Sequence, residues 1–173
     1  VPVTATYIIG AVIAAPALIQ LKVPEFAAHM FIFYYAVLSE VSPPTALSPF
    51  AAAALTGGRP FKTMMMAWKY TIPAFIVPFM FVLTPSGIGL LLEGPLFNMI
   101  WSCLTAMIGI LGIAGGASTW LLHRTALWER IFLIVGGLML VYSSLTFDLV
   151  GMGMIAAVFV SQKMTDRRKV SAA

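Results

Sequence analysis

Ser39-Glu40-Val41-Ser42-Pro43-Pro44-Thr45, with Ser48 and Pro49 just beyond, sits in the middle of the apolar stretch 25–56. A helix of that length, at about 1.5 Å per residue, crosses a ~30 Å hydrocarbon core with length to spare. The tandem prolines then fall near the midplane. Each proline lacks a backbone N–H and crowds the turn before it, so the helix has to open. Carbonyls left unpaired in lipid cost several kcal/mol each unless protein, water or an ion meets them. The break is expected to expose the carbonyls of residues 39–41. Carbonyl and hydroxyl oxygens, without thiols or imidazoles, suit a hard cation such as Na⁺, with Ser42 and Thr45 as its ligands. Ser39, Glu40, Ser42, Pro43, Pro44, Thr45 and Ser48 are therefore the first candidate ion or substrate site. Glu40 is ionisable deep in a span, which suits a proton or ion site, or a partner for a basic residue elsewhere in the protein. The alternative for the prolines is a kink used only in packing.

A second candidate pair, Thr4 and Thr6, follows Pro2 at the opening of the segment 3–21. Pro2 suits the first turn of a helix, where no donor is needed. If this segment is the returning arm of a hairpin, its N-terminal amides point at the midplane and favour an anion. Otherwise the two hydroxyls only satisfy backbone groups. His29 is expected to hydrogen-bond near the end of its helix, and His123 to lie in a loop. Neither histidine has metal-ligand spacing around it.

Such sites need a membrane around them, and the composition supplies one. Of 173 residues 61% are hydrophobic and 9% charged, and mean hydropathy is +0.99. A soluble domain cannot cover its surface with so few charges, so the fold class is all-α integral membrane. Six membrane-crossing or membrane-entering segments are expected: 3–21, 25–56 (broken), 64–84, 96–122, 131–146 and 149–162. The last two are short enough for a tilted or re-entrant hairpin, and a rival count makes 131–162 one helix. Pro73 and Pro78 should bend 64–84, and Gly109, Gly112 and Gly116 suggest close helix packing.

The connections alternate in charge. Lys22, Glu25, Glu93 and Asp148 fall on one side, and Arg59, Lys62, Arg124, Glu129, Arg130 and the tail from Lys163 on the other. Eight of the ten basic residues share that second side, which makes it cytoplasmic by the positive-inside rule. The net charge of +4 thus reports orientation in a lipid bilayer and not nucleic-acid binding. The single cysteine, Cys103, permits no intrachain disulfide. The chain opens inside an apolar run without a basic leader, and is expected to be part of a longer polypeptide. A helix broken near the midplane beside hydroxyls is the way secondary transporters build their sites.

The order Pro2-Val3-Thr4-Ala5-Thr6, Pro16, then Ser42-Pro43-Pro44 before an Ala-rich helix resembles the large membrane subunit of tripartite ATP-independent periplasmic (TRAP) transporters. Phe75-Ile76-Val77-Pro78-Phe79-Met80-Phe81 looks like the fused permease type that works with TAXI-class binding proteins. Ser42 stands where that family often has Thr, and Thr45 replaces a small apolar residue. The resemblance implies two inverted repeats, each with a re-entrant hairpin and a Pro-broken helix, moving in an elevator-like way. Residues 1–62 would be the C-terminal part of the transport domain, and 63–173 further helices with a basic cytoplasmic tail. The first repeat would lie in the remaining N-terminal part of the permease.

The resemblance further implies a periplasmic solute-binding protein that delivers a small organic anion, such as a carboxylate. Uptake would be coupled to Na⁺ or H⁺, with no cofactor and no ATP hydrolysis. The expected location is a bacterial or archaeal cytoplasmic (inner) membrane, multi-pass, with the C-terminus cytoplasmic. Two other classes compete. A membrane enzyme would use Glu40 or His29 as a base, yet no second catalytic group stands at similar depth. A structural or channel subunit would use the prolines as gating kinks.

Overall fold

The computed structural model describes residues 2–142 and 144–170, with side chains through residue 164. The side chains of Asp166, Arg167, Arg168 and Lys169, invoked for sidedness, lie outside the described set. Eight α-helices run through the described residues: α1 Val3–Gln20, α2 Glu25–Leu38, α3 Leu47–Thr56, α4 Pro60–Thr71, α5 Val77–Leu83, α6 Leu96–Ser118, α7 Leu127–Val141 and α8 Leu145–Val170. Short 3₁₀ turns occupy Ile72–Phe75 and Pro85–Leu91. The molecule is an all-helical, polytopic membrane protein, as its composition requires.

Proline punctuates these helices. Pro2, Pro24 and Pro95 immediately precede α1, α2 and α6, and Pro60 is the first residue of α4. A fixed φ and a missing N–H cost nothing at a helix start. Gly57, in the left-handed region at φ 68°, closes α3, the usual glycine stop. Pro73 and Pro78 do more than bend 64–84. The helix begins at Pro60, stops at Thr71, passes through the 3₁₀ turn and resumes as α5.

Among the described residues, four segments are long and apolar enough to cross a membrane: Val3–Gln20, Pro60–Leu83, Leu96–Ser118 and Leu145–Met164. α2 and α3, of 14 and 10 residues, are each too short alone and cover the distance only together, across their break. The 131–162 region is two helices and not one. α7 ends at Val141 and α8 begins at Leu145, earlier than expected, and α8 extends through Val170. α6 ends at Ser118 rather than 122, leaving Trp120 in a loop where it bridges to Arg124.

α6, α7 and α8 form a bundle whose seams are lined by glycine. A Cβ on Gly137 would meet Ile113 Cγ1 at 2.5 Å and the Gly109 carbonyl at 2.7 Å. A Cβ on Gly151 would lie 2.7 Å from the Gly136 carbonyl. Backbones this close allow dense van der Waals packing, the force that holds helices together in lipid. The exposed flank of α1 carries Ile8, Ile9, Val12 and Ile13, a surface suited to lipid or further protein.

Two charges expected in loops are buried instead. Asp148 belongs to the first turn of α8 and is 2% exposed. Glu129, in the first turn of α7, is also buried; its Oε2 accepts from the Ala126 N–H and Gln162 Nε2, both at 2.9 Å. Gln162 Oε1 in turn accepts from the Leu122 N–H. Loop sequences hide this because the side-chain donors, Trp101 to Asp148 and Gln162 to Glu129, come from other helices.

The glycine seam predicts a contrast. Gly137→Ala pushes backbone against backbone and should destabilise the bundle by about 1–3 kcal/mol. Gly153→Ala, where a Cβ meets nothing within 4 Å, should leave the melting temperature unchanged or raise it. Thermal unfolding of the purified permease checks both.

Candidate functional site

The break between α2 and α3 begins where α2 runs out of donors. In a continuing helix, residues 43 and 44 would donate to the carbonyls of Ser39 and Glu40. Pro43 and Pro44 cannot. Substitutes come from further along the chain: Thr45 Oγ1 donates to the Ser39 carbonyl at 2.8 Å, and the Ser48 N–H to the Glu40 carbonyl at 3.2 Å. The Leu38 carbonyl accepts from the Val41 N–H at 3.2 Å and from Ser42 Oγ at 3.1 Å. Ser39 Oγ donates to Ala36 O at 2.7 Å. The Pro43–Pro44 peptide is cis.

Ala46 then turns the chain into α3. It adopts φ 37° and ψ 45°, a left-handed conformation costly for a residue with a Cβ, and is wholly buried. Pro49 is buried in the first turn of α3. Nothing in the sequence marks Ala46, because positive φ is ordinarily signalled by glycine or asparagine and not by alanine.

Ser39, Glu40, Ser42, Pro43, Pro44, Thr45 and Ser48 thus lie together in one oxygen-rich turn. Ser39 through Pro43 are half-buried, while Pro44, Thr45 and Ser48 are exposed. The hydroxyls of Ser39, Ser42 and Thr45 each donate their proton to a carbonyl, and each oxygen keeps lone pairs that accept or ligate. No cluster of three His, Cys, Asp or Glu side chains occurs among the described residues, so the donor chemistry of the turn is that of a hard cation.

Thr4 and Thr6 are not part of this turn. Thr6 Oγ1 donates to the Pro2 carbonyl at 3.3 Å, serving the helix start. Thr4 lines a cavity of about 550 Å³ between α1 and α2, with Tyr7, His29 and Phe33. There the Tyr7 hydroxyl and His29 Nδ1 are 3.0 Å apart.

Tyr35 is a residue that sequence reading passed over. Its hydroxyl donates to the Phe75 carbonyl at 2.6 Å, inside the second proline-interrupted stretch. Its ring packs with Phe31, Phe75 and Phe79. The two interrupted segments are therefore tied together, α2 to the stretch between Pro73 and Pro78. A tyrosine in mid-span was the available signal, since buried phenols find acceptors.

A family model described as the tripartite ATP-independent periplasmic transporter, DctM component, matches residues 1–87 of the 173. The chain belongs to this family. It is a membrane permease component of a TRAP transporter, and family membership implies a periplasmic binding protein and other subunits as partners. Neither a curated protein nor a solved structure matches it. The family match takes in both proline breaks of the permease, whereas α6, α7 and α8 lie beyond it.

The capping pattern predicts a difference between two close substitutions. Thr45→Val removes the donor to Ser39 and should lower the permease's unfolding free energy by about 1 kcal/mol. Thr45→Ser keeps the donor and should stay near wild type in the same melt.

Proposed function

We propose that this permease takes up small organic anions, of which carboxylates are the simplest class, using a cation bound at the 39–48 turn. The carrying observation is the capping itself. The Ser39 carbonyl is held by a hydroxyl on an exposed residue, and the Glu40 carbonyl by an amide eight residues on. Such caps exchange with an ion far more readily than a helical ladder does. A cation at Ser42 and Thr45 would use the hydroxyl lone pairs and fix the turn. α3 starts at Leu47 within this turn, and although the Ser48 N–H is committed to Glu40 and Pro49 has none, the positive end of its dipole favours a nearby anion. Ligands that stabilise the same state bind with positive coupling, which converts a cation gradient into anion uptake.

In this reading residues 1–62 work in the moving transport domain, with Val1–Leu21 as a re-entrant arm and the first repeat supplied by the N-terminal part of the permease. Residues 63–173 complete the TAXI-associated type. A periplasmic binding protein delivers the substrate, the protein sits in the cytoplasmic membrane, and the end bearing Arg59, Arg124 and Arg130 faces the cytoplasm. Na⁺ fits the oxygen donors best; H⁺ at Glu40 is the alternative coupling ion. A membrane enzyme using Glu40 or His29 as its base would need a second catalytic group at similar depth, which the sequence around Glu40 does not offer.

In the full permease, Pro43→Ala with Pro44→Ala should restore the helical bonds to Ser39 and Glu40. Sodium-dependent uptake in proteoliposomes should then vanish while insertion is unaffected; unchanged uptake would refute the ion site. Trans-stimulated counterflow of labelled substrate, with the binding protein present, separates a carrier from a channel or an enzyme.

Orientation has its own test. In an otherwise cysteine-free permease, Lys163→Cys should react with an impermeant maleimide only from the cytoplasmic side, and Glu93→Cys only from outside. Labelling of both from one side contradicts the span arrangement.

A further inference from the structure

Outside the proline breaks, one side chain is left in an unusual state. Asp148 is 2% exposed. Its Oδ2 accepts from Trp101 Nε1 at 3.0 Å, but Oδ1 is buried with no hydrogen-bond partner. A charged carboxylate in that position is strongly unfavourable unless a counter-charge reaches it or it takes up a proton. None of the residues around it is basic. Asp148 lines a cavity of about 490 Å³ with Ser86, Phe97, Asn98, Trp101 and Ser144. Lys22, at the same end of the molecule, lines a different cavity with Thr84 and Pro85. Glu93 lines an adjoining cavity that shares Ser86 and Asn98, adding negative charge near the mouth.

The shape and lining select the kind of cation. The cavity is far larger than the ~30 Å³ share of one water and falls in the ~300–1,000 Å³ range of small-molecule pockets. With a single carboxylate it lacks the several anionic oxygens of a divalent site. Phe97 and Trp101 form one wall, their rings nearly parallel at 15° with centroids 6.4 Å apart. Aromatic faces next to a carboxylate attract organic ammonium groups. The site lies at the starts of α6 and α8, both apolar enough to cross a membrane.

We propose that this cavity binds a primary ammonium group, presented by an aminophospholipid headgroup or a soluble amine, with the Asp148 carboxylate as its counter-ion. Asn98 and Ser144 supply further acceptors, and the Trp101 indole N–H holds Asp148 in place. The site stands apart from the 39–48 turn and does not depend on cation-coupled uptake there.

The test is native mass spectrometry of the full permease with phosphatidylethanolamine, phosphatidylglycerol or ethanolamine. Wild type should retain phosphatidylethanolamine at least tenfold more tightly than phosphatidylglycerol, or bind ethanolamine directly. Asp148→Asn should abolish whichever is seen. Retained lipid that ethanolamine does not displace assigns the headgroup as source; ethanolamine binding on its own assigns a soluble amine. Phe97→Leu, at a 74% exposed position that leaves the fold intact, should weaken binding severalfold. Absence of ammonium preference, wild-type binding by Asp148→Asn or by Phe97→Leu, or displacement by NaCl alone as effective as by amine, overturns the proposal.

Discussion

Two absent N–H groups govern the first half of this permease. Pro43 and Pro44 leave the carbonyls of Ser39 and Glu40 without their helical donors, and lipid offers none. The chain answers by folding residues 39–48 back on themselves. Thr45 turns its hydroxyl to Ser39, and Ser48 turns its amide to Glu40. That closure sets where α2 ends, why Ala46 accepts a left-handed backbone, and where α3 begins. The same shortage recurs at Pro73 and Pro78, where Tyr35 reaches across from α2 to the Phe75 carbonyl. Polar backbone in an apolar medium thus ties the two interrupted segments to one another.

The second half solves a different problem with different residues. α6, α7 and α8 keep their backbone bonds inside each helix and need only to pack. Glycines at 109, 136, 137 and 151 let the backbones approach closely. Each end of α8 is then pinned by a buried carboxylate. Glu129 of α7 meets Gln162 at one end, and Asp148 meets Trp101 of α6 at the other. The pins are not equivalent. Glu129 Oε2 has two donors, as a purely structural group should, while Asp148 keeps one oxygen unpaired.

This division fits the demands on a TRAP permease component. The binding role proposed for the 39–48 turn would need bonds that can be exchanged, and its hydroxyl-to-carbonyl caps are of that kind. A glycine-seamed bundle has no such freedom, because its contacts are numerous and individually unexchangeable. Local stability differs across a protein in this way, and the parts that move come from its weaker end.

The residues themselves determined the membrane class, the positions of the helix breaks and the alternation of charge along the chain. They did so because each rests on a local property: hydropathy summed over a span, the missing proton of an imino acid, the hydration of an arginine. Asp148 and Glu129 escaped that reading. They look like loop charges in the sequence, but their partners Trp101 and Gln162 lie 47 and 33 residues away. The boundary between α7 and α8 and the left-handed Ala46 escaped for another reason, since neither is marked by a glycine or proline of its own. Tertiary structure alone decided which donor caps which carbonyl, because that choice depends on which groups the packed helices bring within hydrogen-bonding distance.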